Sequence, residues 1–167
     1  MTYQTIFDVG ETYSFLWFPA VGVIFVVSAT FFFIFRRYLS PRFLQFIPIV
    51  AVIFGVFWTL TSIVLTMLPH IRLASALSAG RCTVVEGEIH NFRPMPPSGH
   101  GDESFTVNGI AFVYSDFVMS PGFHQTSFRH GPIREGLHVR IHFLGNDIAR
   151  LEIAITRESA RQDSAKS

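Results

Sequence analysis

Two long apolar runs dominate the first part of the chain, and a shorter alternation of apolar and polar positions comes after them. Phe15 to Phe35 is a stretch of 21 residues without a charge. At about 1.5 Å per residue, a helix of that length crosses a hydrocarbon core of roughly 30 Å. The second stretch, Phe43 to Leu68, is also uncharged. Pro48 suits its first turn, where a missing N–H costs nothing, and Pro69 is read as its end. Pro48 to Leu68 again spans 21 residues, so the pattern predicts two matched transmembrane helices packed as an antiparallel hairpin.

Beyond Pro69 the period changes. His70 to Ala79 reads as a short helix, with Leu73 and Leu77 on one face and Gly80 at its C-terminus. From Arg81, Val85, Gly87 and Ile89 alternate with Glu86, Glu88 and His90, as on a half-buried strand. After a loop rich in proline and glycine, Phe105 to Phe112 centres on Asn108-Gly109, which supplies the two φ > 0 positions of a type I′ hairpin turn. A second long loop, Asp116 to Glu135, contains Pro121, Gly122, Gly131 and Pro132. Leu137, Val139, Ile141 and Phe143 then alternate with polar positions, and Gly145-Asn146-Asp147 turns the chain into Ile148 to Ile155.

The expected fold class is therefore a membrane α-helical hairpin plus an all-β domain, a small five-stranded barrel of the OB or SH3-like kind that closes or nearly closes to hide its edges. The corresponding division is an N-terminal tail over 1–14, transmembrane helices over 15–38 and 48–69, and a basic connector loop over 39–47 between them. A connector helix over 70–80, the β domain over 81–157 and a disordered tail over 158–167 complete it.

Composition supports a lipid environment: 19 of 167 residues are Phe and only 15% are charged, against roughly 25% in soluble proteins. The acidic start, the length of the first run and the Arg36-Arg37 pair after it argue against a cleaved signal peptide. Arg36, Arg37 and Arg42 make the connector 36–42 the cytoplasmic side by the positive-inside rule, a bias that Arg72 and Arg81 reduce. The N-terminus and the β domain are then expected outside, which is the periplasm in a Gram-negative cell. Tyr13, Trp17 and Tyr38 stand where interfacial aromatics belong. Neither run carries an ionisable group, which argues against a pump or transporter. Ala51, Gly55, Thr59 and Ser62 form a stripe of small residues, read as the contact with the first helix through Gly22 and Ala29 in preference to a homo-oligomer seam. From Ile71 onward ten basic residues face ten acidic ones, which leaves no excess for nucleic acid.

Val84-Val85-Glu86-Gly87-Glu88-Ile89, Phe105 to Tyr114, Gly136-Leu-His-Val-Arg-Ile and Ile148-Ala-Arg-Leu-Glu-Ile, placed after two apolar helices, resemble a group of uncharacterised small bacterial membrane proteins with a C-terminal OB-like β domain. The resemblance implies a bacterial inner-membrane setting and carries no catalytic motif.

Candidate chemistry is sparse. Cys82 is the only cysteine, which excludes an internal disulfide and a multi-cysteine metal site. His138 and His142 share a strand face, as do Glu86, Glu88 and His90; a His/Glu metal site is weighed against a polar outer sheet face, and the second is preferred. Two histidines four apart on a strand lie about 13 Å from each other and cannot share an ion. Serine triads can be assembled on paper from Ser104 or Ser120, but no G-x-S-x-G elbow or H-E-x-x-H helix is present. The binding residues expected from the loops are Arg93, His100, Asp102, Tyr114, Asp116, Phe123, His124, Arg129 and His130, with Glu103 and Phe128 beside them. For Phe123 and Phe128 the alternative is a packing role, capping the barrel. The reading is a membrane-anchored interaction module without cofactor, held by the lipid bilayer and meeting a protein or envelope ligand. A metal-dependent or hydrolytic envelope enzyme using the loop histidines and an accessory subunit of a larger membrane complex are the alternatives.

Overall fold

A computed structural model describes residues 2–12, 17–35, 46–96, 101–118 and 120–155. The connector arginines 36, 37 and 42, Tyr13, Tyr38, His100 and the tail 158–167 lie outside the described residues. The chain divides into a helical unit, 12–69, and a β unit built from 1–11 and 70–167.

In the helical unit, α1 (Trp17–Phe35) and α2 (Ile47–Ser62) are both long and apolar enough to cross a membrane, α2 together with the helical turns that continue it to Ser78. Pro48 occupies the first turn of α2. The helices meet where they carry glycine. A Cβ added at Gly22 would lie 2.8 Å from the Gly55 carbonyl oxygen, and one added at Gly55 would lie 2.9 Å from that of Gly22. Thr59 also faces Gly22, Ala29 and Ser62 are buried, and Ala51 is half-buried. The Trp58 indole donates across the pair to the Phe18 carbonyl at 3.1 Å.

Pro69 does not end the second helix. The segment Ile63–Met67 is a π-turn in which the Leu68 N–H reaches back to Ile63, and α3 (Leu68–Ser78) continues through the proline. A proline ring clashes with the carbonyl four residues earlier, and the wider turn relieves that conflict while rerouting the hydrogen bonds. The stop comes at Gly80, with φ +66°, where the Gly80 N–H bonds Leu77 and the Arg81 N–H bonds Ala76 in a Schellman motif.

The β unit is a sheet of six antiparallel strands, not five: β1 (Thr2–Asp8), β2 (Thr83–Arg93), β3 (Glu103–Val107), β4 (Ile110–Tyr114), β5 (His138–Leu144) and β6 (Asp147–Ile155), in the order β1-β6-β5-β2-β3-β4. The residues expected to be an N-terminal tail form β1 and pair with β6 from Thr2↔Ile155 to Asp8↔Arg150. This pairing explains why the sheet is not the expected closed barrel. Closure of β2–β6 would bring β4 against the outer edge of β6, but β1 holds that edge from Arg150 onward and Phe123 bonds it at Ile148. The hairpin turn at Asn108-Gly109 has φ values of 49° and 80°, as a type I′ turn requires. β2 serves two ladders, β5 along its first half and β3 along its second, with a register shift between His90 and Arg93 where Asn91 has φ 54°. Such a bulge bends the strand and curls the sheet.

The inner face contributes Val85, Ile89, Phe105, Val107, Phe112, Tyr114, Val139, Ile141, Ile148 and Leu151 to one core, joined by Phe123 and Ile133 from the second long loop. On the other side of β6, Ala149 packs with Val9 and with Leu73 of α3 in a smaller cluster. The start of β6 is therefore buried on both faces, which ties the connector helix and the N-terminal strand into the β unit.

Candidate functional site

The second long loop is held down by two acids. Glu103, at the start of β3, is completely buried. Its carboxylate accepts the Tyr114 hydroxyl, the Ser127 N–H at 2.9 Å, the Ser127 hydroxyl at 2.6 Å and the Met95 N–H at 3.3 Å. Four donors from β4 and from both long loops thus converge on one side chain, which offsets the cost of burying it. Burial, and then the bond to Glu103, pushes the Tyr114 hydroxyl far above its usual range, so it stays a donor. Asp116 accepts the Thr126 N–H at 3.0 Å and hydroxyl at 2.7 Å, and Arg129 sits 3.3 Å from it.

Phe123 fills the seam between the uncovered end of β6 and β4. Its N–H bonds the Ile148 carbonyl at 2.9 Å, just before the stretch of β6 that β1 pairs. Its ring lies 5.7 Å from Phe7 and 5.4 Å from Tyr114. Gly122 makes this approach possible: a Cβ there would fall 2.9 Å from the Ile148 nitrogen and 3.0 Å from its oxygen.

Above that wedge is a cavity of about 220 Å³, lined by the end of β4, the second loop and the β5–β6 turn. Its polar wall consists of Asp102, Ser115, Ser120, His124, Asn146 and Asp147, and Tyr114, Phe123 and Ile148 form much of the apolar wall. Ser120 donates to Asp147 at 2.5 Å, Asn146 to the Val113 carbonyl at 3.2 Å, and Ser115 to the Gly101 carbonyl at 3.0 Å. His124 Nδ1 lies 2.9 Å from the Gly122 carbonyl. A carbonyl only accepts, so Nδ1 carries the proton there.

Of the nine loop residues singled out from the sequence, the structure brings Asp102, Tyr114, Phe123 and His124 to this cavity. Asp116 and Arg129 pair with each other instead. His130 stands exposed in a left-handed conformation, closing the turn Ser127–Arg129. Arg93 is exposed at the end of β2. Phe128 is 60% exposed, unlike Phe123 at 4%. Sequence reasoning missed Ser115, Ser120, Asn146 and Asp147 as wall residues. The last two were legible only as turn formers, Ser115 only as loop composition, and Ser120 only as a serine for a triad on paper.

The polar outer face of the sheet is occupied by a different network. Arg140 bonds Glu86 at 2.8 Å and stacks 4.1 Å over the Tyr3 ring, while the Tyr3 hydroxyl donates to Glu86 at 2.5 Å. Tyr3 and then Arg140 hold the Glu86 carboxyl below the usual range. Glu88 faces His138 across the β2–β5 ladder, Glu86 faces Arg140 and Val84 faces His142. A cation therefore stands in the middle of the supposed ligand row, and no cluster of three metal-binding side chains occurs among the described residues. Ser120 bonds an aspartate, not a histidine.

Comparison of the chain with protein-family models, with curated proteins and with solved structures finds no match.

Proposed function

We propose that the chain is a membrane-anchored binding module of the bacterial envelope: α1 and α2 cross the bilayer, and the β unit offers its seam cavity to a ligand at the outer face. The observation that carries this reading is the contrast between the two units. In the helices, Ile24, Phe31, Ile34 and Phe57 are each more than 60% exposed, a surface water does not tolerate and lipid does. In the β unit, a loop fixed by two buried acids walls a cavity of mixed polar and apolar lining, the usual make-up of a small-ligand site. β1 precedes the helices and β2–β6 come after them, yet all share one sheet. Two crossings of the bilayer satisfy that pairing, and the basic connector 36–42 supports placing the sheet outside.

Val118 lines the cavity and is 57% exposed, so Val118→Trp fills the opening without disturbing the core. The full chain is expected to stay in the membrane pellet after carbonate extraction. Native mass spectrometry of the detergent-purified protein is expected to show a ligand adduct that Val118→Trp loses. Release by carbonate, or an adduct spectrum indifferent to the substitution, would contradict the proposal.

A further inference from the structure

The chain has three asparagines, Asn91, Asn108 and Asn146, and the fold treats the nitrogen that comes after each of them differently. An asparagine carboxamide is open to attack by the main-chain nitrogen of the next residue, which makes the residue thermolabile. The attack needs that nitrogen unengaged and unshielded. After Asn91, the Phe92 N–H donates to Glu135 at 2.6 Å, and the same residue carries a bulky ring. After Asn146, Asp147 closes a two-residue turn opposite Leu144, so its N–H is taken up by the turn. After Asn108 comes Gly109, the second central residue of the type I′ turn, and the bond that closes this turn joins Val107 and Ile110 instead. The Gly109 N–H donates to nothing among the described residues. Both turn residues are exposed, and the space that a Cβ would take at Gly109 is empty within 4 Å.

The Asn108 carboxamide has a structural task. Its Nδ2 donates to the Glu86 carbonyl at 2.9 Å, on the part of β2 that lies beyond the β2–β3 ladder, whose last pair is Ile89↔Val107. Gly87 gives it room, since a Cβ there would lie 3.4 Å from Asn108 Cγ. The amide thus adds one rung between the hairpin and β2 where the main-chain pairing has stopped. A hairpin tip at the end of a sheet opens by local fluctuation, and each opening frees the carboxamide to meet the Gly109 nitrogen.

We propose that Asn108 is a site of spontaneous deamidation, and that the reaction cuts this rung irreversibly. The Gly109 nitrogen bonds to Asn108 Cγ, the Cγ–Nδ2 bond breaks, and the amide leaves as ammonia with the proton that Gly109 gives up. Water then opens the cyclic imide without any change of oxidation state. Addition at Cγ yields aspartate; addition at the main-chain carbonyl carbon yields isoaspartate, in which the chain runs through Cβ and Cγ. A carboxylate only accepts, so neither product donates to the Glu86 carbonyl. Isoaspartate also lengthens the backbone by one atom, which a two-residue type I′ turn does not accommodate. β4 starts directly after the turn and carries Phe112 and Tyr114 into the core, with the Tyr114 hydroxyl on Glu103. The damage therefore reaches the network that holds both long loops.

The test is to age the folded full chain in detergent at 37 °C and mildly alkaline pH, and to map its peptides by mass spectrometry. Asn108 is expected to gain the mass difference between amide and acid at least tenfold faster than Asn91 and Asn146, with isoaspartate as the major product. The rate should rise with pH, because the Gly109 nitrogen attacks after losing its proton. The converted fraction, separated by its extra negative charge, should show a lower denaturant midpoint for the β unit than the fresh chain. Asn108→Gly keeps a residue suited to the turn and has no amide to lose, so its midpoint should not drift on ageing. Conversion of Asn108 no faster than that of the other two asparagines, conversion only after the chain has been unfolded, or a converted fraction with an unchanged midpoint would overturn the proposal.

Discussion

Replacing Glu103 with alanine is expected to destabilise the β unit by about 4 kcal/mol, read as a shift of its denaturant midpoint in the full chain. Four buried or half-buried donors converge on this carboxylate, and each donor left without a partner costs roughly 1–3 kcal/mol. Those costs do not add fully, because the loop relaxes and water enters. Glu103→Gln keeps the shape but turns an N–H₂ toward the donors, and about 2 kcal/mol of destabilisation is expected by the same reasoning. The effect should reach beyond stability. Ser127 and Met95 belong to the two long loops, so the cavity wall loosens along with the core. Tyr114 adds a pH signature. Its folded hydroxyl is shifted up by burial and by Glu103, whereas in the unfolded chain it ionises near 10. The native state therefore holds that proton more tightly, and stability falls as pH rises above about 10. Tyr114→Phe should remove that part of the alkaline slope. A Glu103→Ala protein as stable as the parent would show that the network contributes little.

Gly55→Leu is expected to split the helical unit while the β unit keeps its own unfolding transition. The Gly22 and Gly55 backbones approach so closely that a single Cβ at position 55 would meet the Val26 side chain at 2.8 Å and the Gly22 oxygen at 2.9 Å. Overpacking usually costs about 1–3 kcal/mol when side chains can yield. Here one obstacle is backbone, so α1 and α2 must separate, and about 3 kcal/mol or more of helix-pairing energy is lost on that scale. Two side-chain contacts should report it, the Trp58–Phe18 hydrogen bond and the edge-on Phe25–Phe54 pair with centroids 5.4 Å apart. Loss of the first exposes the indole, so a changed Trp58 emission with an unchanged β-unit midpoint is the expected outcome. Unaltered Trp58 emission in Gly55→Leu would mean that the helices do not meet at these glycines.

The sequence made local features plain and left distant pairings hidden. The Asn108-Gly109 turn, the alternation in β2 and β5 and the glycine stop after α3 are set by neighbouring residues, so their pattern carries them. β1 is different. Tyr3, Thr5, Ile6 and Phe7 have strand character, but their partner strand starts at Asp147, and nothing in a short local window points there. With residues 2–8 read as a tail, the outer edge of β6 counted as free, and closing or nearly closing the sheet was the way to hide it; β1 covers most of that edge instead. Pro69 misled for another reason. Proline breaks a regular α-helix, and the π-turn that accommodates it depends on hydrogen bonding that composition does not record. Half of the site was visible as loop acids, histidines and aromatics. The remainder came from Ser115, Ser120 and the β5–β6 turn, whose Asn146 bonds the Val113 carbonyl of β4 while Phe123 bonds Ile148.

In the proposed membrane-anchored arrangement, the pairing of β1 with β6 requires positions before and after the helices to share one side of the bilayer, and cysteine labelling tests this directly. In a Cys82→Ser background, Gln4→Cys lies on exposed β1, His90→Cys replaces a side chain 60% exposed on β2, and Ser40→Cys marks the basic connector. With a membrane-impermeant maleimide on intact spheroplasts, Gln4→Cys and His90→Cys are expected to label, and Ser40→Cys only after the membrane is opened. Labelling of Gln4→Cys and His90→Cys from opposite sides, or of all three from the same side, would contradict a six-stranded sheet anchored by a two-helix membrane hairpin.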